Sequence, residues 1–425
     1  MDRRIKTILM LGAALVATTG QAWAGERTER VNVSSGGAPG NASGANGPNS
    51  ISWTGRFVAF WSNSSNLVPG DTNGFCDMFV RDRVIGRTER VSRGMGGRQP
   101  NANTCYLGDA IPISADGRIV VFSSDASNLV PGDNNLRPDV FAFDRHTGRT
   151  ERISVSSGGA EAEGGFSFPR DMSEDGRFVL FGSTATNLVA GDTNIYDDLF
   201  VRDRWKGTTE RVNVSATGVQ ANGEGFQLAS ISADGRYVAF GTAADNVVPG
   251  VGAYQVYVRD RRFGTTQVVD TRPLLYAVNP SVSATGRCVA FEGYDDVGSD
   301  IYVHDRVTRT TRLVTPGLNG EHSNSFSQWP AISASGRYVA FQSDASNLVP
   351  GDTNGTSDVF RSDAITGAVT RVSVAKDGAQ ANNGSEPWSA ISADGRHVVF
   401  SSEATNLVPD NGGAGAFVRV LDEKR

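Results

Sequence analysis

The sequence predicts an all-β chain, a seven-bladed β-propeller of four-stranded antiparallel blades. Two observations carry this prediction: one phrase returns seven times, and the two ends of the array are complementary. The phrase is a serine, two residues, Gly-Arg and a short apolar run. It reads SWTGRFVAF from Ser52, SADGRIVVF from Ser114, SEDGRFVLF from Ser173, SADGRYVAF from Ser232, SATGRCVAF from Ser283, SASGRYVAF from Ser333 and SADGRHVVF from Ser392. A unit recurring at this spacing is a supersecondary module that buries its faces only against its neighbours. At the ends, the last unit stops at Phe417-Val418-Arg419-Val420, one strand short, and an orphan strand, Thr28 to Val33, opens the array. One closing blade built from both ends removes the free edges that an open array would expose.

Each blade is read as strands a to d. Strand a is the brief stretch ending in the serine. After the tight turn around Gly-Arg, strand b is a continuous apolar run such as Tyr237-Val238-Ala239-Phe240, and continuous apolarity means burial on both faces. Strand c follows, reading MFVRDR from Met78, VFAFDR from Val140, LFVRDR from Leu199, VYVRDR from Val256, IYVHDR from Ile301 and VFRSDA from Val359. A Thr-Gly or Gly-Thr type turn leads to strand d, TERVS from Thr88, TERIS from Thr150, TERVN from Thr209, TTRLV from Thr310 and VTRVS from Val369. The closing blade combines the N-terminal strand d with C-terminal strands a–c.

Ahead of the array, Arg3, Arg4 and Lys6 precede an apolar stretch from Ile8 to Val16 and then Ala22-Trp23-Ala24. This pattern predicts a signal peptide over residues 1–24 and a single propeller domain over 25–425, exported to the periplasm or secreted. The apolar stretch is too short for a permanent membrane span. A net charge of −6 argues against nucleic acid and against anionic membrane as partners. Of three cysteines in an oxidising compartment, Cys288 lies in an apolar strand, whereas Cys76 and Cys105 fall in loops and are expected to form a disulfide.

The ISADGRYVAF and DVFxxD phrases resemble the TolB-type, WD40-like propeller repeat, and the resemblance covers the whole mature chain. Such propellers serve as partner-binding platforms, enzyme scaffolds and peptidase gates, so the resemblance implies fold and not activity. The chain departs from TolB in having seven units rather than six and no N-terminal α/β domain. TolB's envelope partners are therefore not carried over.

Features present in every blade are read as structural. The Gly-Arg arginine starts strand b and the RDR aspartate ends strand c, so an intrablade ion pair is expected. The a–b and c–d turns are short and uniform; the b–c and d–a loops are long and variable and emerge on the opposite face, where binding and chemistry concentrate. Four b–c loops carry Asp-x-Asn-x-x-x-Asp: Asp71, Asn73 and Asp77; Asp133, Asn135 and Asp139; Asp192, Asn194 and Asp198; Asp352, Asn354 and Asp358. Oxygen ligands at alternate positions suit a hard cation such as calcium, and equally Asx-turns that close the loop unaided. No cofactor is required by any motif.

Residues that break the symmetry are the candidate ligand-binding set. Trp329 and Trp388 stand at equivalent positions in adjacent blades, where indole faces could stack on sugar rings or pack between blades. Tyr106, Phe168, Phe226 and Tyr276 join the same rim, with Arg170 and Asp171 as polar partners. His322, beside Glu321, is the histidine of the loop-rich face, and the rim carboxylates include Asp109 and Glu386. No G-x-S-x-G elbow and no histidine cluster with metal-ligand spacing is present. The expectation is an exported, monomeric, non-enzymatic propeller that binds an envelope or extracellular protein or a glycan. The alternative is a polysaccharide lyase or glycoside hydrolase with its site at the channel mouth.

Overall fold

A computed structural model describes residues 25–422 apart from 107, 253, 271–273, 296–297 and 410–412, and apart from the side chains of Phe226 and Gln227; the leader lies outside the described residues. Seven antiparallel sheets form the ring. Six have four strands, and in the second blade strand a is reduced to a single bridge, Ile113 to Val120. The third blade shows the pattern: strand a Ser167–Met172, b Phe178–Ser183, c Asp198–Asp203 and d Thr208–Arg211. The closing blade is built as expected. Arg27–Arg30 pairs with Gly415–Val420 in the register Arg27 to Val420 and Arg30 to Phe417.

The core repeats with the sequence. In every blade an aromatic of strand b lies directly opposite one of strand c, as in Phe60 with Phe79 and Phe181 with Phe200, both at 5.6 Å between ring centres. Around these pairs the apolar clusters bridge adjacent blades. One holds Val121 and Val140 of the second blade with Val179 and Phe181 of the third, and another joins Val31 and Val418 to Val58 of the first. Each unit is therefore stable only within the ring.

The repeated phrase has a physical reason at each position. The serine hydroxyl accepts the first N–H of strand b, from Phe57 to Ser52 at 2.9 Å through to His397 and Ser392 at 3.0 Å. The arginine pairs with the last aspartate of strand c, with Arg56 to Asp82 and Arg236 to Asp260 both at 2.7 Å. In the closing blade, where Val420 replaces that aspartate, Arg396 reaches Asp422 instead, at 3.7 Å. The glycine has two reasons. Gly235 has φ +72°, and a Cβ there would lie 2.1 Å from the ring of Phe178 in the preceding blade. That ring is itself held between the guanidiniums of Arg177 and Arg261, at 4.6 and 4.5 Å. Gly235→Ala is expected to cost about 2–4 kcal/mol, from left-handed backbone and overpacking together. Urea unfolding of Gly235→Ala, alone and with Phe178→Ala, checks this; an equal penalty in both backgrounds would show that the ring contact contributes nothing.

The residue after each serine closes a second ring. Trp53 donates its backbone N–H to Ala115, Ala115 to Glu174, Glu174 to Ala233, Ala233 to Ala284, Ala284 to Ala334, Ala334 to Ala393, and Ala393 back to Trp53, at 2.9–3.3 Å. Just inside lies an apolar collar that includes Ile51, Ile113, Met172, Ile231 and Val282. Blades are also tied by the glutamate of strand d to the second arginine of the next blade's RDR, as in Glu29 with Arg83 at 2.9 Å.

Cys76 and Cys105 are joined as expected, with Cα atoms 6.0 Å apart. Cys288 is only half-buried, because the first residue of strand b faces the interblade seam, where its Sγ stands against Gly336. Burial raises its thiol pKa above the ordinary value.

Candidate active site on the loop face

The Asp-x-Asn loops close around an arginine. Strand d supplies Arg90, which lies 3.4 Å from Asp71 and 3.3 Å from Asp77, while Asn73 bonds Asp77 at 3.3 Å. Arg211 lies 3.2 and 3.0 Å from Asp192 and Asp198, and Arg371 lies 3.2 and 3.7 Å from Asp352 and Asp358. In the second blade Arg152 stands among Asp133, Asn135, Asp139 and Glu161, 3.5 Å from Asp139 and in closer contact with Glu161. The pairing changes from blade to blade. In the fourth blade Gln255 replaces the strand-c aspartate and Val268 the arginine. In the fifth, Asp300 keeps the aspartate, Leu313 takes the arginine's place, and His322 comes in from the d–a loop to bond Asp300 at 2.5 Å. His322 thus pairs with Asp300 rather than with its neighbour Glu321.

Trp329 sits on the bulge of its strand a and Trp388 just ahead of the two-residue strand a Ala390–Ile391, both half-buried, with ring centres 5.6 Å apart in an edge-to-face contact. Both hold positive φ, +59° and +73°, as does Asn279 at +52°. Non-glycine residues persist in that region only when their surroundings hold them there, and they cluster at functional sites. Beneath Trp329 the wholly buried Glu292 accepts the Asn279 amide at 2.8 Å and the Trp329 N–H at 3.4 Å. Asp171 belongs to the seam, where its carboxylate accepts the backbone N–H of Ile231 in the next blade at 2.8 Å. The corresponding residue of the fourth blade, Ser230, accepts the N–H of Val282 at 2.7 Å.

Arg170 and Tyr106 meet in a cavity of about 350 Å3 between the second and third blades, lined also by Asp109, Phe166, Phe168 and Asp197. Tyr106 stands edge-on to Phe168, ring centres 5.5 Å apart, and Phe168 stacks on Phe166 at 6.4 Å. The exposed guanidinium of Arg137 covers the outer face of Phe166 at 5.1 Å. Arg170 is 8% exposed; its Nη2 donates to Asp197 at 2.9 Å, and its Nε–H has no partner. A buried guanidinium nitrogen without an acceptor is costly. Asp109, also 8% exposed, accepts the Ser123 hydroxyl. Burial pushes its carboxyl up to about 7, against the opposing effects of Ser123 and the Arg170 charge. Burial and the neighbouring Asp125 carboxylate raise the Tyr106 phenol above its ordinary range, so it remains protonated. Sequence reading picked out Tyr106, Arg170 and Asp109 but not Asp197, whose signal was the Asp197-Asp198 doublet where other loops carry a single aspartate before strand c.

Asp171 and Glu174 are likewise raised to about 7 by burial, Glu174 also by Asp175 and Asp234. Such groups bind protons more tightly folded than unfolded, so the stability they withdraw grows as pH rises from about 4 to about 7. Arg118 and Arg287 act oppositely on Asp144 and Asp305, holding both carboxyls low and stabilising the fold until pH falls through that acidic range. The melting temperature is therefore expected to peak at about pH 5 and to decline towards pH 8; a flat or rising melting curve over that window would contradict the burial of these carboxylates.

No family model matches the chain, and no curated protein matches it in sequence. Solved structures do. An oligogalacturonate lyase in complex with manganese is 12% identical, with a TM-score of 0.57, covering 95% of this chain and 96% of that one. An oligogalacturonate lyase from Vibrio parahaemolyticus is 11% identical, with a TM-score of 0.55 and coverages of 94% and 98%. TolB from Acinetobacter baumannii is 15% identical, with a TM-score of 0.41 over 87% of this chain and 81% of that one. The fold is the TolB-like propeller that the repeat motif implied. The expectation of a non-enzymatic binder is corrected by the two lyases, which this chain spans almost end to end. That expectation rested on the asymmetry of the two faces and the lack of a catalytic motif, and a lyase that matches this propeller over 96% of its length shows that the fold alone can be an enzyme's whole scaffold.

Manganese in the first lyase calls for a test of the donors present here. Among the described residues, the acids close enough to share an ion are Asp133, Asp139 and Glu161. Arg152 already supplies their positive charge. The group does not fit a divalent cation, and no step below passes through a metal.

Proposed function

We propose that the chain is an exported polysaccharide lyase that cleaves uronate-containing glycans by β-elimination at the cavity of Arg170, Asp109 and Tyr106. The observation that carries this reading is the buried Nε–H of Arg170, without an acceptor and beside a carboxyl poised at about 7. β-Elimination needs a cation to draw charge onto the sugar carboxylate, a base for the proton on C5 and an acid for the departing C4 oxygen. Arg170 is suited to the first, offering a fixed fork to a carboxylate. Asp109 has the pKa of a base working near neutrality. Its carboxylate takes the C5 proton, the C5–H electron pair becomes the C4–C5 double bond, and the C4–O bond breaks. The leaving oxygen takes the phenolic proton of Tyr106, which is then replaced from the protonated Asp109. The aromatic wall of Phe166 and Phe168 excludes water from the developing charge.

The test is incubation of the mature protein with a panel of uronate polysaccharides, following ultraviolet absorbance of the unsaturated uronate and reducing ends in parallel. Both should rise together. Reducing ends without absorbance would mean hydrolysis and overturn the elimination.

A further inference from the structure

A second cavity, of about 190 Å3, lies between the seventh and first blades and shares Gly108 with the first. Trp61, from strand b of the first blade, and Trp388, from just ahead of strand a of the seventh, contribute its aromatic surface. Gly108 joins the two cavities at close quarters. Its φ is +88°, and a Cβ there would stand 3.0 Å from the Trp388 ring. Asn46, buried in the wall, is held by Ser401 at 2.7 Å and donates to the Trp388 carbonyl at 3.1 Å, fixing the tryptophan's backbone. The Trp388 indole Nε1–H is buried without a partner.

The two cavities differ in charge. The first sets Arg170, with Arg137 over its aromatic wall, against the carboxylates of Asp109 and Asp197. The second is bordered by Glu386 and Glu403, both exposed, and among its described lining residues there is no arginine, lysine or histidine. Arg30 approaches this wall but is spent on the carbonyls of Gly413 and Ala414, at 3.2 and 3.0 Å. A second uronate placed here would meet two carboxylates and no counter-charge, whereas a neutral sugar would lay its C–H face on indole and offer hydroxyls to the glutamates.

Resting on the lyase reading above, we propose that the second cavity is a subsite for an uncharged sugar, and that the substrate is a glycan in which uronate residues alternate with neutral ones, rather than a homopolymer of uronate. The two cavities bind adjoining sugars across Gly108, the charged one on Arg170 and the neutral one against Trp61 and Trp388.

The test compares kcat/KM on a rhamnogalacturonan backbone, where galacturonate and rhamnose alternate, with that on polygalacturonate. The alternating glycan is expected to be preferred by about tenfold or more, as like-charge exclusion near water requires. The double variant Glu386→Gln, Glu403→Gln should narrow the gap by improving the homopolymer, and Trp388→Phe should weaken turnover of the alternating glycan more than of the homopolymer. Equal or faster cleavage of polygalacturonate would overturn the subsite and leave the lyase reading standing. Should neither glycan give the unsaturated product, the lyase reading fails. Affinity-gel retardation then decides the cavity: retardation by the alternating glycan that is weakened in Trp388→Phe supports it, and retardation by neither glycan overturns it.

Discussion

Arg170→Lys is expected to lower kcat/KM on a uronate glycan by about 10²–10³-fold, the usual cost of removing one preorganised donor from a developing negative charge. Lysine keeps the charge but loses the planar fork, and with it the Nε–H that is buried without a partner. Asp109→Asn should fall at least as far, because it removes the base. In the unaltered enzyme, kcat/KM should rise with pH along a limb centred at about 7, since Asp109 accepts a proton only when ionised. Asp197→Asn is the informative comparison. It frees the second nitrogen of Arg170 and should move KM more than kcat, as expected for a residue that aims the guanidinium. Undiminished turnover in Arg170→Lys, with the absorbance product still formed, would place the chemistry elsewhere on the loop face.

The second large effect concerns closure of the ring. Deleting residues 25–33 removes the strand paired with Gly415–Val420, the Thr28 hydroxyl bond to Val374 at 2.6 Å, and the Glu29 partner of Arg83. Burial of Val31 and Val33 alone is worth about 3–6 kcal/mol. The melting midpoint should drop by about 10 °C or more, and the exposed edge of Gly415–Val420 should drive association. A peptide of the deleted sequence added in trans should restore the midpoint by pairing with that edge. A truncated protein that melts unchanged and monomeric would show that the closure adds nothing.

Architecture was legible because repetition averages out local ambiguity. Any one VAF or VRD run could be strand or helix, but seven copies of Ser-x-x-Gly-Arg at matched spacing admit a single kind of solution, and the split closing blade confirmed it. Pairings within a blade were legible for the same reason, so Arg56 with Asp82 and its five counterparts follow from strand order. Partners arriving from other units were not. The glutamate of TER was read only as part of a strand, although Glu29 reaches Arg83 of the next blade. The arginine of the same phrase enters the Asp-x-Asn loop of its own blade, 13 residues from Asp77, and gave no sequence signal: the fourth blade loses both partners, the fifth keeps Asp300 without the arginine, and the closing blade keeps Arg30 with Gly415 in the aspartate's place. At the candidate site Tyr106 and Arg170 were visible as breaks in symmetry. Their convergence was not, because it depends on the irregular d–a loop that carries Tyr106 folding against strand a of the next blade, which carries Arg170. The loop-face tryptophans show the same limit: their positions were readable, while their left-handed backbone was not.

The ring of backbone hydrogen bonds from Trp53 round to Ala393 narrows the axis at one end of the propeller. A charged glycan that entered there would leave its hydration on a collar of isoleucine and its equivalents and meet the Glu174 carboxyl, with no counter-charge among the lining residues. Traffic is therefore one-sided. On the lyase reading, substrate and both cleavage fragments would use the same doorway, and a long polymer would lie across the rim like a rope over a well-head instead of threading through. Chain length then sets no limit on which glycans can be cut, and the release of fragments competes with the arrival of new chain at a single opening.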